Sequence, residues 1–262
     1  MRPGPRFSAT ICFFLALLTA TSAAAQNPFA GTWKLNQEKS QLAGDTLKFG
    51  PAEGNAIQLT AGGVTYSFRV DGGNYATPSG NIAIWRQASP DIWTTEYRKT
   101  DGKLLSSDSW KLSPDGTTLT DTTSGVKANG DLYTDSAEYA RTAGTSGLIG
   151  SWKSTAVKLS APNELIIQEI SLDKLLFKIP AIKASCELNF NGKETAVDGP
   201  DLPPGLRLSL ARTGPYSFRL VRKLNGSTVS SSVYTVSDEG KTMTEVGGTP
   251  GDPPATIVWE KQ

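Results

Sequence analysis

Histidine is absent from all 262 residues, and cysteine and methionine occur only twice each. Without imidazole there is no Ser-His-Asp or Cys-His catalysis, no imidazole-built zinc site and no ordinary proton switch near neutral pH. Cys12 lies in a segment expected to be removed. Cys186 is then the lone mature cysteine, too few for an intramolecular disulfide or a cysteine-rich metal site. A charge surplus is also missing: 26 basic residues face 25 acidic ones. Loss of Arg2 and Arg6 would leave 24 against 25, a balance that argues against nucleic acid or an anionic membrane as main partner. After the N-terminal segment no run reaches the roughly 18 apolar residues that span a bilayer. No amphipathic helix of about 12 residues stands out either. The nearest candidate, Asn163 to Ile179, is Ile-rich, broken by Ser171 and closed by Pro180, and reads as two strands. Gly247-Gly248-Thr249-Pro250-Gly251 lacks the lysine and following helix of a phosphate loop.

Glycine (26) and proline (16) are abundant, about 16% of the chain together against the usual roughly 12%. That enrichment suits many short strands joined by turns. The start of the chain reads as an address. Arg2 and Arg6 precede a short apolar run, Ile11 to Leu18, and Ala23-Ala24-Ala25 offers the small residues of a cleavage site before Gln26. Residues 1–25 are thus expected to be a signal peptide, and the mature chain to be exported, periplasmic or extracellular, with no integral membrane segment.

The remainder is written twice. Phe29-Ala30-Gly31-Thr32-Trp33-Lys34 recurs as Leu148-Ile149-Gly150-Ser151-Trp152-Lys153, 119 positions on. Later echoes keep their order: Leu112 to Thr120 answers Val236 to Thr244, and Glu138-Tyr139-Ala140-Arg141 answers Val258-Trp259-Glu260-Lys261. Such ordered matches indicate a duplication. The halves are 26–143 and 144–262, separated by the small residues Thr142 to Gly147.

Within each half the period is two. Val64-Thr65-Tyr66-Ser67-Phe68 alternates as a half-buried strand does, and so does Leu206 to Leu210. Asp101-Gly102 and Asn225-Gly226 are hairpin signals; the latter, followed by Ser227, is read as a turn rather than a glycosylation site. About eight to ten short strands per half predict an all-β protein of two tandem antiparallel up-and-down meander barrels.

Gly31-x-Trp33 on the first strand, followed by an antiparallel meander, resembles the lipocalin and calycin barrels, and further features are the opening Asn27 to Asn36 with Lys39-Ser40, the Lys99 to Lys103 hairpin, the Ser113 to Thr120 turn and the closing Ile257 to Gln262 strand. They are closer still to small lipocalin-like domains of secreted bacterial proteins. The resemblance covers nearly all the mature chain, once per half, and departs at Val157 to Pro162. It implies the barrel fold, an exported setting and ligand binding, in a family without an assigned activity.

Gly31-x-Trp33 and Gly150-x-Trp152 are structural motif residues, each Trp expected to pack across a closed barrel end. Tyr66, Phe68, Trp93, Tyr97 and Trp110 are the candidate ligand-binding residues, since rings with polar tips line cavities well. Their counterparts in the second half read as Cys186, Leu188, Ser217, Val221 and Tyr234, so the first barrel is expected to bind. Trp85, out of phase with Ile82 and Ile84, is expected on the surface. Cys186 reads as an inert core thiol. Asp71, Glu96, Asp108, Asp131 and Asp135 are the carboxylates available for paired-carboxylate hydrolysis; Asp121, Asp131 and Asp135 match no calcium loop. No residue is assigned a catalytic or metal role, and no cofactor is expected. The leading expectation is a non-enzymatic protein binding a small apolar or amphipathic molecule in a barrel. A structural or interaction protein of the cell envelope with filled barrels comes next, and a carboxylate-dependent hydrolase third.

Overall fold

The computed structural model describes residues 27–160 and 163–262; the expected signal, with its cleavage site, and residues 161–162 lie outside them. The first half contributes β1 (Gly31–Gln41), β2 (Thr46–Ala52), β3 (Ala56–Ala61), β4 (Val64–Phe68), β5 (Tyr75–Ala76), β6 (Ile82–Ser89), β7 (Ile92–Arg98), β8 (Leu104–Leu112), β9 (Thr118–Val126) and β10 (Leu132–Ala143). The second contributes β11 (Gly150–Lys158), β12 (Glu164–Ser171), β13 (Lys174–Ile179), β14 (Ala184–Asn189), β15 (Thr195–Ala196), β16 (Leu206–Gly214), β17 (Ser217–Leu224), β18 (Ser227–Val236), β19 (Thr242–Gly248) and β20 (Ala255–Lys261). All ladders are antiparallel, and the strands form two nearly closed barrels of ten, as the period-two pattern predicts. Isolated bridges draw the open edges together: Asp71 with Arg86 in the first barrel, Ser185 with Asp198 and Asn191 with Ala211 in the second. No helix among the described residues is long and apolar enough to cross a membrane.

The barrels do not coincide with the sequence halves. The first runs β4-β3-β2-β11-β10-β9-β8-β7-β6-β5, and the second β14-β13-β12-β1-β20-β19-β18-β17-β16-β15. Each half has therefore given its first strand to the other barrel. β1 lies between β12 and β20, with Trp33 opposite Leu165 and Lys261. β11 lies between β10 and β2, with Trp152 opposite Arg141 and Leu47. The repeat boundary near residue 143 thus falls between two neighbouring strands of one barrel. The chain crosses between barrels after β1, through 42–45, and again between β11 and β12.

The exchange is permitted because the two strands are nearly the same object. Both tryptophans are fully buried. The indole of Trp33 donates to the Phe29 carbonyl at 2.9 Å, and that of Trp152 to the Leu148 carbonyl at 3.0 Å. A cation covers each ring, Lys261 at 5.1 Å from Trp33 and Arg141 at 4.0 Å from Trp152. Gly31 and Gly150 share φ near 150°, which L side chains rarely adopt. A Cβ at Gly150 would strike the Ala143 carbonyl, whereas one at Gly31 would meet only the flexible Lys261 side chain.

The loops repeat as well. Gly116 N–H donates to the Ser113 carbonyl and Gly240 N–H to the Ser237 carbonyl, at 2.9 and 2.8 Å. The two hairpin dipeptides differ in kind. Asn225 and Gly226 both have positive φ and join Leu224 directly to Ser227, as a two-residue primed turn does. At Asp101-Gly102 only the glycine is left-handed, Lys99 N–H reaches the Lys103 carbonyl, and the ladder slips between Tyr97 and Arg98.

Trp85 corrects a sequence expectation. It is fully buried, with Ala83 on the same face of β6. The inward set is therefore Ala83 and Trp85, not Ile82 and Ile84, although Ile84 is also buried, on the other face.

Candidate functional site

The five first-barrel candidates do converge, around Trp85. Phe68 stacks on Trp85 at 4.1 Å between centroids, Trp110 lies 5.8 Å from it, and Phe49 meets both edge-on. Trp93 faces Trp110 across β7 and β8. Rings at these spacings fill the barrel with one another. Tyr66 and Tyr97 form its polar layer: their hydroxyls are 2.9 Å apart, and the Trp85 indole donates to Tyr66 at 3.1 Å. Burial pushes both phenols up, Tyr97 strongly.

Beyond this layer two carboxylates share the interior. Asp108 on β8 is opposite Thr123 on β9, and Asp121 is opposite Trp110, so they are diagonal neighbours on one face. Asp108 is 6% exposed. Thr123 donates to Asp121 Oδ2 at 3.3 Å, while the enclosed Oδ1 has no hydrogen-bond partner among the described residues. Burial pushes the Asp108 carboxyl from 3.8 up to about 6, against the Thr123 hydroxyl, which favours its ionised form. Burial and then repulsion by Asp108 push Asp121 up to about 7. The other sequence-flagged acids lie on turns and outer faces. Asp71 binds Gly73 N–H and Tyr75, Asp131 pairs with Asn129, and Asp135 accepts from Ser160.

In the second barrel, ladder register fixes the equivalents. Phe218 pairs with Tyr234 as Trp93 pairs with Trp110. Arg222 pairs with Leu208 and Ser230 as Tyr97 pairs with Ala83 and Ser106. The expected counterparts Ser217 and Val221 are therefore replaced by Phe218 and Arg222, one residue further on, while Cys186, Leu188 and Tyr234 stand where expected. Glu245 occupies the place of Asp121, and Trp259 that of Tyr139.

This barrel holds a cation where the first holds a tyrosine, and it holds a cavity of about 220 Å³. Leu165, Phe177, Leu208, Leu220 and Trp259 give it apolar walls, with Arg222 and Tyr234 as polar groups. Arg222 donates to Ser230 at 2.9 Å and to the Tyr234 hydroxyl at 3.0 Å. Its guanidinium lies 3.7 Å from Glu245, which also accepts from the Trp259 indole at 3.3 Å. The Arg222 side chain remains 35% accessible against 7% for Glu245, because it lines the cavity. Burial keeps Tyr234 protonated well above the usual phenol range. Cys186 is buried beside Ala196, to whose carbonyl it donates at 3.3 Å, and burial raises its thiol to about 11. That leaves almost no thiolate for chemistry.

Arg222 and Glu245 were missed by a period count that stopped at apolar residues. Phe218, Leu220 and Arg222 share one face of β17, and Met243 and Glu245 one face of β19. A charge in phase with buried apolar neighbours was the available signal. A wider cleft of about 340 Å³ lies elsewhere, but its Lys103 is already bound to both Asp201 oxygens at 2.8 and 2.9 Å. No protein-family model matches this chain, and no curated protein or solved structure matches it.

Proposed function

We propose that the chain is an exported, non-enzymatic binding protein that takes a small apolar or amphipathic molecule inside its second barrel. The observation that carries this reading is the 220 Å³ cavity with apolar walls and a few convergent polar groups, the composition expected of a small-molecule site. The volume is that of about seven waters at roughly 30 Å³ each, so the ligand is small: a single ring or a chain of about eight carbons. The first barrel, its space taken by stacked rings, serves as the packed partner. The lipocalin-like resemblance and the N-terminal leader pattern support the exported setting.

Mass spectrometry of an organic-solvent extract of the natively exported mature chain tests the reading. A stoichiometric small molecule is expected, and it should vanish in Leu208→Phe, which fills the cavity. A blank extract, with no change in tryptophan emission across a panel of small alcohols, ketones and aromatics, would count against it. The interaction-protein reading has its own support in Leu104, Val126 and Leu132, exposed by 45%, 58% and 80% on neighbouring strands of the first barrel. The buried Asp108–Asp121 pair gives the hydrolase reading two neighbouring carboxylates, but not an open cleft between them.

A further inference from the structure

We infer that the second-barrel cavity selects a neutral, largely apolar molecule bearing one hydrogen-bond-accepting oxygen and rejects an anion of the same shape. This rests on the binding reading above and names its ligand class. An arginine in an apolar cavity would, on its own, call for a carboxylate, since the guanidinium fork matches one in a bidentate manner. Here that charge is already matched. Glu245 lies 3.7 Å from Arg222 and is almost wholly enclosed. One positive charge thus faces one enclosed negative charge. An entering carboxylate would lose its hydration and gain no net attraction in return.

What Arg222 still offers is donors. Of its five N–H groups, bonds run from Nη1 to Ser230 and from Nη2 to Tyr234, and 35% of the side chain remains accessible. A hydroxyl, ketone or ether oxygen can accept from that surface without bringing a charge. Leu165, Phe177, Leu208 and Leu220 then cover the rest of the molecule. The first barrel cannot copy this chemistry, because Tyr97 stands at the equivalent position and, among the described residues, no arginine is paired with its two carboxylates.

The test compares 1-octanol with octanoate on the full mature chain at pH 7.5, by calorimetry and by tryptophan emission. Octanol should bind at least about tenfold more tightly than octanoate. Glu245→Gln frees the Arg222 charge and should move that ratio by about tenfold or more toward octanoate. Leu208→Phe should abolish binding of both. Octanoate binding as tightly as octanol in the unmodified protein overturns the inference and leaves the binding reading standing. Binding of neither probe removes the binding reading and the inference together. Octanol binding that survives Leu208→Phe places the site elsewhere and also overturns the inference. If Glu245→Gln fails to fold, the comparison on the unmodified chain still decides.

Discussion

Asp108→Asn should make the first barrel more stable, and increasingly so as pH rises. In the folded barrel the Asp108 carboxyl holds its proton to about pH 6, whereas its ordinary value is 3.8. Between those values the folded state binds more protons than the unfolded chain, so stability falls as pH rises through the window and levels off above it. At about 1.4 kcal/mol per pH unit, ionised Asp108 costs the fold about 3 kcal/mol by pH 8 and only about 0.5 kcal/mol at pH 4. Asp121, raised to about 7, extends the same decline to slightly higher pH. It is partly relieved by the substitution, because Asp108 repels it. Asparagine keeps the shape and a group that Thr123 can bind. Urea unfolding of both chains at pH 4, 6 and 8, followed by tryptophan emission, measures the difference. The gain for Asp108→Asn should grow by about 2.5 kcal/mol between pH 4 and pH 8. Parallel pH profiles for the two chains, or a loss of stability at pH 8, would refute the argument that this carboxylate is enclosed without compensation.

Trp33→Ala should cost about 3–5 kcal/mol, and the loss should appear in the second barrel. Hydrogen exchange is expected to accelerate across β12 and β16 to β20 and to stay slow across β6 to β9; the opposite distribution would rule out the strand exchange. Gly150→Ala should cost about 1–3 kcal/mol or more, and Gly31→Ala less, since only Gly150 has a backbone carbonyl in the way of a Cβ; thermal melts of the two variants decide it. Cys186 should resist alkylation at pH 8 in the folded protein and react fully in denaturant, because its buried thiol is held near 11; rapid labelling of the native state would contradict its enclosure.

The barrels were legible because alternation and turn chemistry are local. Val64 to Phe68 announces its buried face in five residues, and Asn225-Gly226 announces a turn in two. The exchange of β1 and β11 was not legible. Gly-Thr-Trp-Lys and Gly-Ser-Trp-Lys present the same ring, the same indole donor and the same glycine, so the sequence carries the same signal for both strands. No local pattern separates the two pairings; what separates them is where the chain crosses, between β1 and β2 and between β11 and β12. Trp85 was misplaced because Ala83 is small enough to leave the inward phase ambiguous between two isoleucines. The cavity residues were hidden differently: both hairpins carry a bulge at the same place, but five residues separate Arg98 from Leu104 and only four separate Lys223 from Thr228, so one fixed offset carried across the turn lands on Val221 instead of Arg222.

With β1 lodged beside β20, the first described strand and the last residues are direct neighbours, and Gln262 N–H donates to the Thr32 carbonyl at 2.9 Å. The second barrel therefore cannot be completed until the last strand has been made, and β1, which pairs with β12 on one side, must wait for its second neighbour. The first barrel, β2 to β11, is contiguous and has no such wait. Joining Gln262 to Asn27 and opening the chain within 42–45 would turn the molecule into two consecutive barrels, β2 to β11 followed by β12 to β20 and then β1, with every ladder kept. The duplicated chain is thus a circle of twenty strands cut one strand away from the seam between its barrels.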